Sequence, residues 1–367
     1  MFLNPFPGAF GLDIGDLSIK MLQLTNTSRR RGHRSYEVAA CRSTKLPKGL
    51  IIDGIIQEPE KVKKYLVHLL YDARTSKKPI RSQWVVASIP DTQAFIKRID
   101  IQKKLTDVIE EDINDAAHRH IPFGEDDYYI DWQATSGEEQ GEKTSILVTA
   151  VPKRIADMYT HLLESLGLGV IALEPEAIAL TRAMITAQKT YTHEARGILN
   201  LGATRSSLTV YDHDQIQFTV SLPFSGEYIT DALARECKLP YQEAEKQKIT
   251  TGLAYTKNQV VCWTSLTRSA EILTKEIQKS MQFYTTHFSD TNPITHITMC
   301  GGGAMMKRLD RVLSLKLKTT TRPGNVWKNL SSKKSPPLSP EESLRFAVVI
   351  GLAIRASANP FFLRDTI

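Results

Sequence analysis

Cysteine is scarce. The 367 residues hold four, Cys41, Cys237, Cys262 and Cys300, with no Cys-x-x-Cys pair and no histidine at ligand spacing. That argues against a disulfide framework or a zinc site, and the four read as reduced thiols. Long apolar runs are missing too. The longest, residues 346–354 with Gly351 inside, is less than half of the roughly 20 residues that cross a bilayer. The opening Met1-Phe2-Leu3-Asn4-Pro5 lacks the basic and apolar stretches of a signal peptide, so a cytosolic chain is expected. Nor is there a basic stripe interleaved with aromatics. Net charge is +7, but Arg29-Arg30-Arg31 and Lys333-Lys334 stand alone and read as solvated loop charge, so no nucleic-acid surface is expected.

What is present is a chain that is 41% apolar, long enough for two or more domains with proper cores. One pattern occurs twice. Gly11-Leu12-Asp13-Ile14-Gly15-Asp16-Leu17-Ser18-Ile19-Lys20 and Gly197-Ile198-Leu199-Asn200-Leu201-Gly202-Ala203-Thr204 each run as apolar strand, acidic or amide residue, glycine two positions on, then small and hydroxyl residues before another strand. Each reads as a tight hairpin whose turn presents backbone N–H groups to an anion, phosphate above all. Two such turns facing each other would hold a nucleotide's phosphates from both sides.

Strands are expected at residues 10–24, 36–46, 84–89, 95–101, 128–134, 145–150 and 170–173, the last of them buried. Helices are expected at 59–72, 105–120 (capped by Thr106, with Asp107, Glu110, Glu111 and Asp112 in its early turns) and 175–188. Ile155, Met158, Tyr159, Leu162, Leu163 and Leu166 mark another, stopped by Gly167. The second half predicts strands at 207–211, 217–221 and 294–300 and helices at 227–238, 241–249 and 264–287. A third glycine element, Gly301-Gly302-Gly303-Ala304, follows. Residues 328–340 read as loop, and Ser339-Pro340-Glu341-Glu342 launches a last helix to about residue 356.

Two glycine hairpins at the heads of two lobes, then a strand-triple-glycine-helix element, resemble the layout of the actin-like ATPase fold. Within it the chain resembles the type IV pilus assembly protein PilM family, itself related to the cell-division protein FtsA. The likeness rests on Gly11-Leu12-Asp13-Ile14-Gly15 with Ser18 and Lys20, Val86-Ala87-Ser88-Ile89-Pro90, residues 116–123, Leu166-Gly167-Leu168, Leu173-Glu174-Pro175-Glu176-Ala177, Ser225-Gly226-Glu227-Tyr228-Ile229-Thr230, Ala244-Glu245 with Lys248, and Gly301-Gly302-Gly303-Ala304. The resemblance implies an α/β, two-lobed fold of duplicated RNase H-like domains. Its parts would be a first lobe (1–82 and 152–194), a small α+β insert at the 1C position (83–151), a second lobe (195–338) and a helix returning to the first lobe (339–367).

Carried over, Gly15, Ser18 and Lys20 would hold the phosphates of ATP or ADP from one side, and Gly202, Ala203 and Thr204 from the other. Asp13 would orient water on Mg²⁺, Glu245 and Lys248 would reach the ribose and base edge, and adenine would lie on Gly301, Gly302 and Gly303, with Gly226 nearby. Read alone, Glu245 and Lys248 are a solvated i,i+3 pair. The family carries Asp where this chain has Asn200, which implies ATP as a structural or switching ligand with at most weak hydrolysis. No catalytic base is identified.

The resemblance further implies peripheral attachment at the inner membrane. A groove between first lobe and insert would take the N-terminal cytoplasmic peptide of a PilN-like membrane protein, with other pilus assembly proteins and self-association as further contacts. Ile113, Ile121 and Phe123 would line that groove or, the better reading, fill the insert's own core. Two rivals are weaker. A sugar kinase would need an acidic base beside a glycine-rich sugar site, and an FtsA-like filament protein a membrane helix, for which residues 359–364 are too few.

Overall fold

The computed structural model describes residues 5–27, 35–71, 79–124, 127–134, 144–187, 189–255, 257–288, 290–330 and 336–358. The basic runs at 29–31 and 333–334, the turn at 136–139, part of the loop at 328–340 and the segment 359–364 lie outside the described residues.

β1 (Phe10–Gly15) turns through Asp16 and Leu17 into β2 (Ser18–Asn26), pairing Asp13 with Lys20 and Gly15 with Ser18. β3 (Tyr36–Lys45) continues the meander. After a miniature hairpin, β4 (Ile51–Ile52) and β5 (Ile55–Ile56), comes α1 (Pro59–Tyr71), which buries Val62, Leu66, Leu69 and Leu70 along one helical face. β6 (Trp84–Ile89) follows. The next elements are β7 (Phe95–Ile101), α2 (Glu110–His118), β8 (Tyr128–Ala134) and β9 (Thr144–Pro152). Then α3 (Lys153–Glu164), β10 (Gly169–Pro175) and α4 (Glu176–Met184) complete the first half.

The second half begins with β11 (Ala195–Leu201), β12 (Ser206–Asp212) and β13 (Gln215–Leu222). Helices α5 (Gly226–Cys237), α6 (Tyr241–Thr250) and α7 (Val260–His287) precede β14 (Ile294–Cys300), α8 (Leu309–Leu317) and β15 (Thr320–Pro323). α9 (Pro340–Ser343) and α10 (Ala347–Ser357) end the described chain. No helix of the described residues is long and apolar enough to cross a membrane.

The first sheet has the order β10-β6-β1-β2-β3, and the second β15-β14-β11-β12-β13-β7-β9-β8. Both contain the same five-strand plan, a three-strand meander with two parallel strands laid beside its first strand. The duplication signalled by the two glycine hairpins therefore extends to the whole of the first sheet and to five strands of the second. β7, β9 and β8 join the second sheet through a single residue pair, Phe218 with Lys97. With α2 they enclose their own core of Ile99, Ile101, Ile113, Ile121, Ile146 and Val148, against which Phe123 packs.

Several expectations need correction. Residues 84–89, assigned to an insert starting at 83, are β6, an interior strand of the first sheet paired in parallel with β1 and β10; a run that is apolar except for Ser88 suits a parallel strand covered on both faces. Residues 170–173, expected to be buried, are only half-buried because β10 is the sheet's edge. Thr106 does not cap α2. A 3₁₀ turn at Leu105–Asp107 intervenes, and the Asp112 carboxylate accepts the Ile109 N–H (3.1 Å) at the true start. The last helix is interrupted by a 3₁₀ turn at Leu344–Phe346, although Ser339 does cap its first piece by accepting the Glu342 N–H (3.2 Å). The cysteines are not all reduced thiols. Cys237, ending α5, and Cys262, in α7, form a disulfide across two packed helices, a pairing that their sequence separation of 25 concealed. Cys41 and Cys300 are free.

α10 is buried almost throughout and lies on β1, β2, β6 and α4. Glycine makes that approach possible. A Cβ on Gly11 would stand 2.6 Å from the Ala353 nitrogen, and one on Gly351 would stand 1.8 Å from the Ala179 carbonyl oxygen. Beside this contact Glu174 accepts two hydrogen bonds from Arg182 (2.7 and 2.8 Å) and one from Arg355 (2.6 Å), joining β10, α4 and α10. Burial would raise the Glu174 carboxyl, but the two guanidiniums outweigh it and hold it below the usual range. Gly351→Ala should therefore destabilise the protein by about 3 kcal/mol, the upper end for overpacking, read as a lower midpoint in urea unfolding.

Candidate functional site

Parallel strands deliver their carboxyl ends to one side of a sheet, and here both sheets deliver theirs to the same cleft. From the first come Asp13 and the β1–β2 turn, Ser88 at the end of β6, Asp91 just beyond it, and Glu176 after β10. From the second come Asn200 near the end of β11, the turn to β12, and the glycines after β14.

The first turn is prearranged by side chains. Asp13 is buried, pairs with Lys20 (2.8 Å) and accepts the Ser88 hydroxyl (3.1 Å), so carboxylate and ammonium neutralise each other within the strand pair. Asp16, also buried, accepts the Gly54 N–H (3.0 Å), and the Gly54 carbonyl accepts the Tyr159 hydroxyl (2.9 Å). Gly15 and Ser18 close the hairpin as paired residues.

The second turn, residues 202–205, seats α5. The carbonyls of Gly202 and Ala203 accept the N–H groups of Gly226 (3.0 Å) and Glu227 (2.8 Å), bringing the helix's first turn beside Thr204. Any Cβ on Gly226 would crowd the Gly202 oxygen at 3.3 Å, so the two segments meet backbone to backbone. Lys248 is neither solvated nor free for a ligand. It is buried and gives its three N–H bonds to the Gly226 carbonyl (2.9 Å), the Thr230 hydroxyl (2.8 Å) and Glu245 (2.7 Å), pinning α6 to the start of α5. Glu245 remains more exposed.

The triple glycine divides its work. Gly301 has φ of 81°, and a Cβ there would stand 2.4 Å from the Leu201 oxygen; one on Gly303 would stand 2.8 Å from the Leu201 side chain. Both serve close packing on β11. Only Gly302 faces open space.

Four groups without a role in the sequence reading complete the cleft: Asp16, Asp91, Glu176 and Arg205. Arg205 of the second turn reaches Asp16 of the first through one nitrogen, at 3.0 and 3.1 Å from its two oxygens. Burial would weaken its charge, but Glu176 and Asp16 more than compensate and keep the guanidinium protonated. Asp91 accepts the Ala177 N–H (2.9 Å) and the Ser207 hydroxyl (3.2 Å). The Asn200 amide donates to Glu176 at 3.4 Å. Burial and the neighbouring charges of Asp91 and Asp13 push the Glu176 carboxyl up to about 8, and burial raises Asp91 as well. The available signal is a polar residue at or just past the carboxyl end of each apolar strand, Asn200, Ser88 and Glu176 alike.

A carboxyl raised on folding binds more protons in the native state. Its contribution to stability is complete below its unfolded value of 4.5 and is lost as pH rises through about 8. Glu176→Gln should remove that dependence. Urea midpoints of variant and wild type should diverge in the variant's favour between pH 5 and 9, by on the order of 2 kcal/mol for a partly water-exposed group.

The family model described as type IV pilus assembly protein PilM matches residues 11–357. A chain of the PilM–PilN type IV pilus biogenesis complex superposes with a TM-score of 0.79 at 22% identity, over 96% of this chain and all of that one. The ethanolamine utilization protein EutJ of Carboxydothermus hydrogenoformans gives 0.54 at 14% identity, covering 95% of this chain and 90% of its own. MreB5 of Spiroplasma citri bound to AMPPNP gives 0.52 at 13%, covering 94% and 95%. These likenesses identify the duplicated sheets as the two-lobed actin-like ATPase fold. With the family model spanning nearly the whole sequence, the chain belongs to the type IV pilus assembly protein PilM family.

Proposed function

We propose that this chain is an ATP- or ADP-binding scaffold of the inner-membrane type IV pilus assembly complex, working with Mg²⁺ and recruited by the cytoplasmic tail of a PilN-like membrane protein. The observation that carries the nucleotide half is the convergence of two glycine turns, one from each lobe, on a cleft lined by Asp13, Lys20, Asn200 and Arg205. The residues suit the ligand. Two cationic side chains face the turns, Asp13 supplies an oxygen suited to the water shell of Mg²⁺, and Gly302 leaves open backbone beside β11.

When bound, ATP with Mg²⁺ supplies a polyphosphate that both lobes contact and a cation that offsets its charge. Lys20, Gly15 and Ser18 would engage it from the first lobe, and Gly202, Ala203 and Thr204 from the second. Asn200 hydrogen-bonds without adding negative charge. Lys248 and Glu245 act indirectly, by holding Gly226 against the second turn. Among the described cleft carboxylates none is poised as a base: Asp13 is neutralised by Lys20, Asp16 by Arg205, Asp91 is committed to two donors, and Glu176 is mostly protonated at neutral pH. The ligand is thus retained to clamp the lobes rather than consumed.

The partner half rests on the likeness to the chain from the PilM–PilN complex and on β8. This strand ends the second sheet, carries an exposed Trp132, and lies against α3 through the Tyr129 hydroxyl bonded to Asp157 (3.1 Å). An extended tail would add to its open edge, between insert and first lobe.

Calorimetry should find Mg-ATP binding to the wild type that Lys20→Ala weakens about tenfold, as expected for a lost charge-assisted contact. Asn200→Asp should strengthen the Mg²⁺ requirement, and phosphate release by the wild type should stay near background; rapid turnover refutes the retained-ligand reading. A peptide copying the N-terminal tail of the PilN-like protein should alter Trp132 fluorescence, and Trp132→Ala should cost about tenfold in affinity, the size of a modest interface anchor.

A further inference from the structure

Arg205 and Asp16 bind tip to tip: one sits in the β11–β12 turn, the other in the β1–β2 turn, and their pairing bridges the two lobes at the mouth of the glycine cleft. Neither end is loose. Asp16 is held from the first lobe by the Gly54 N–H, the Gly54 carbonyl in turn accepting the Tyr159 hydroxyl, and the side chains of Asp16 and Arg205 are only 5% and 16% exposed. Shielding of this degree makes the attraction far stronger than that of a surface pair. Another ion pair between the two lobes among the described residues, Lys48 with Glu227, has a lysine that is 61% exposed, and salt screens it.

The position of the pair along the second turn also matters. Gly301 and Gly303 pack on Asn200 and Leu201, at the start of the turn, and Arg205 stands at its far end, past Gly202, Ala203 and Thr204. A polyphosphate running from the opening at Gly302 along the turn reaches Arg205 last. The group it meets there is already bonded to a carboxylate.

We propose that the Asp16–Arg205 pair is an interlobe latch that takes the place of a terminal phosphate: it holds the turns together without ligand, and a nucleoside triphosphate must displace Asp16 from Arg205 where a diphosphate need not. This rests on the nucleotide reading above for its ligand, though not for the latch itself. A terminal phosphate can offer the guanidinium a doubly charged acceptor, but only by standing next to the Asp16 carboxylate, and like charges so placed oppose binding. The chain therefore discriminates against the triphosphate by the strength of one ion pair.

The test combines amide exchange with calorimetry on Asp16→Asn, Arg205→Gln and the double variant. Asparagine keeps an acceptor for the Gly54 N–H, so local structure survives. In the ligand-free protein each single variant should speed exchange in segments 13–20 and 200–207 about tenfold, and the double variant no further, the non-additivity of a contacting pair. Arg205→Lys should restore most of the protection, because a single nitrogen makes both contacts. Additive effects, or no effect, overturn the latch. In calorimetry Asp16→Asn should tighten Mg-ATP about tenfold while changing Mg-ADP by less than about threefold, removal of a like-charge clash felt by one ligand only. An equal gain for both overturns the discrimination. If the wild type binds neither nucleotide, the nucleotide reading falls, and the exchange cycle still upholds or overturns the latch.

Discussion

The architecture depends on how closely α10 lies on the backbone of the first lobe. Gly11 removes the side chain that would collide with Ala353, and Gly351 removes the one that would collide with Ala179, so helix, strand and neighbouring helix meet with only backbone between them. Dispersion and apolar burial favour such contact only when it is free of voids and clashes. Glu174 then ties the same three elements electrostatically, with both carboxylate oxygens committed to guanidiniums. Just upstream, the Leu344 carbonyl accepts the Gly301 N–H (2.9 Å), so the packing of the last helix also fixes the glycine loop of the second lobe.

From that frame the cleft follows as a matter of topology. Duplicated sheets with parallel inner strands bring polar residues at their carboxyl ends into one volume, and their charges nearly cancel in pairs. Asp13 answers Lys20, Asp16 answers Arg205, and the acids left over, Asp91 and Glu176, respond by raising their proton affinity. Asn200 in place of a carboxylate fits this balance. A further negative charge beside Glu176 would add repulsion to a carboxyl that burial, together with Asp91 and Asp13, already holds protonated.

The sequence disclosed whatever depends on local pattern. Glycine two positions after Asp13 and Asn200 specified both hairpins, helical spacing from Ile155 to Leu166 specified α3, and the uninterrupted apolar stretch from Phe346 to Ile354 specified a buried terminal helix. It did not disclose properties that arise when distant segments meet. The Cys237–Cys262 bond, the burial of Lys248 beneath Gly226 and the bridge from Asp16 to Arg205 all join residues with no local motif in common. Strand 84–89 was misplaced for a different reason. Membership of a sheet is decided by pairing partners, and β6 neighbours β1 and β10, on either side of it in the chain.

The placement of α10 also orders events during synthesis. Strands β1, β2 and β6 and helix α4 leave the ribosome long before residues 347–357, and the apolar surface that α10 later covers stays wet until those residues are made. The amino-terminal half thus cannot reach its native packing as an autonomous nascent unit. Its completion is the last act of folding rather than the first, and the growing chain must keep an adhesive surface from finding the wrong neighbour in the meantime.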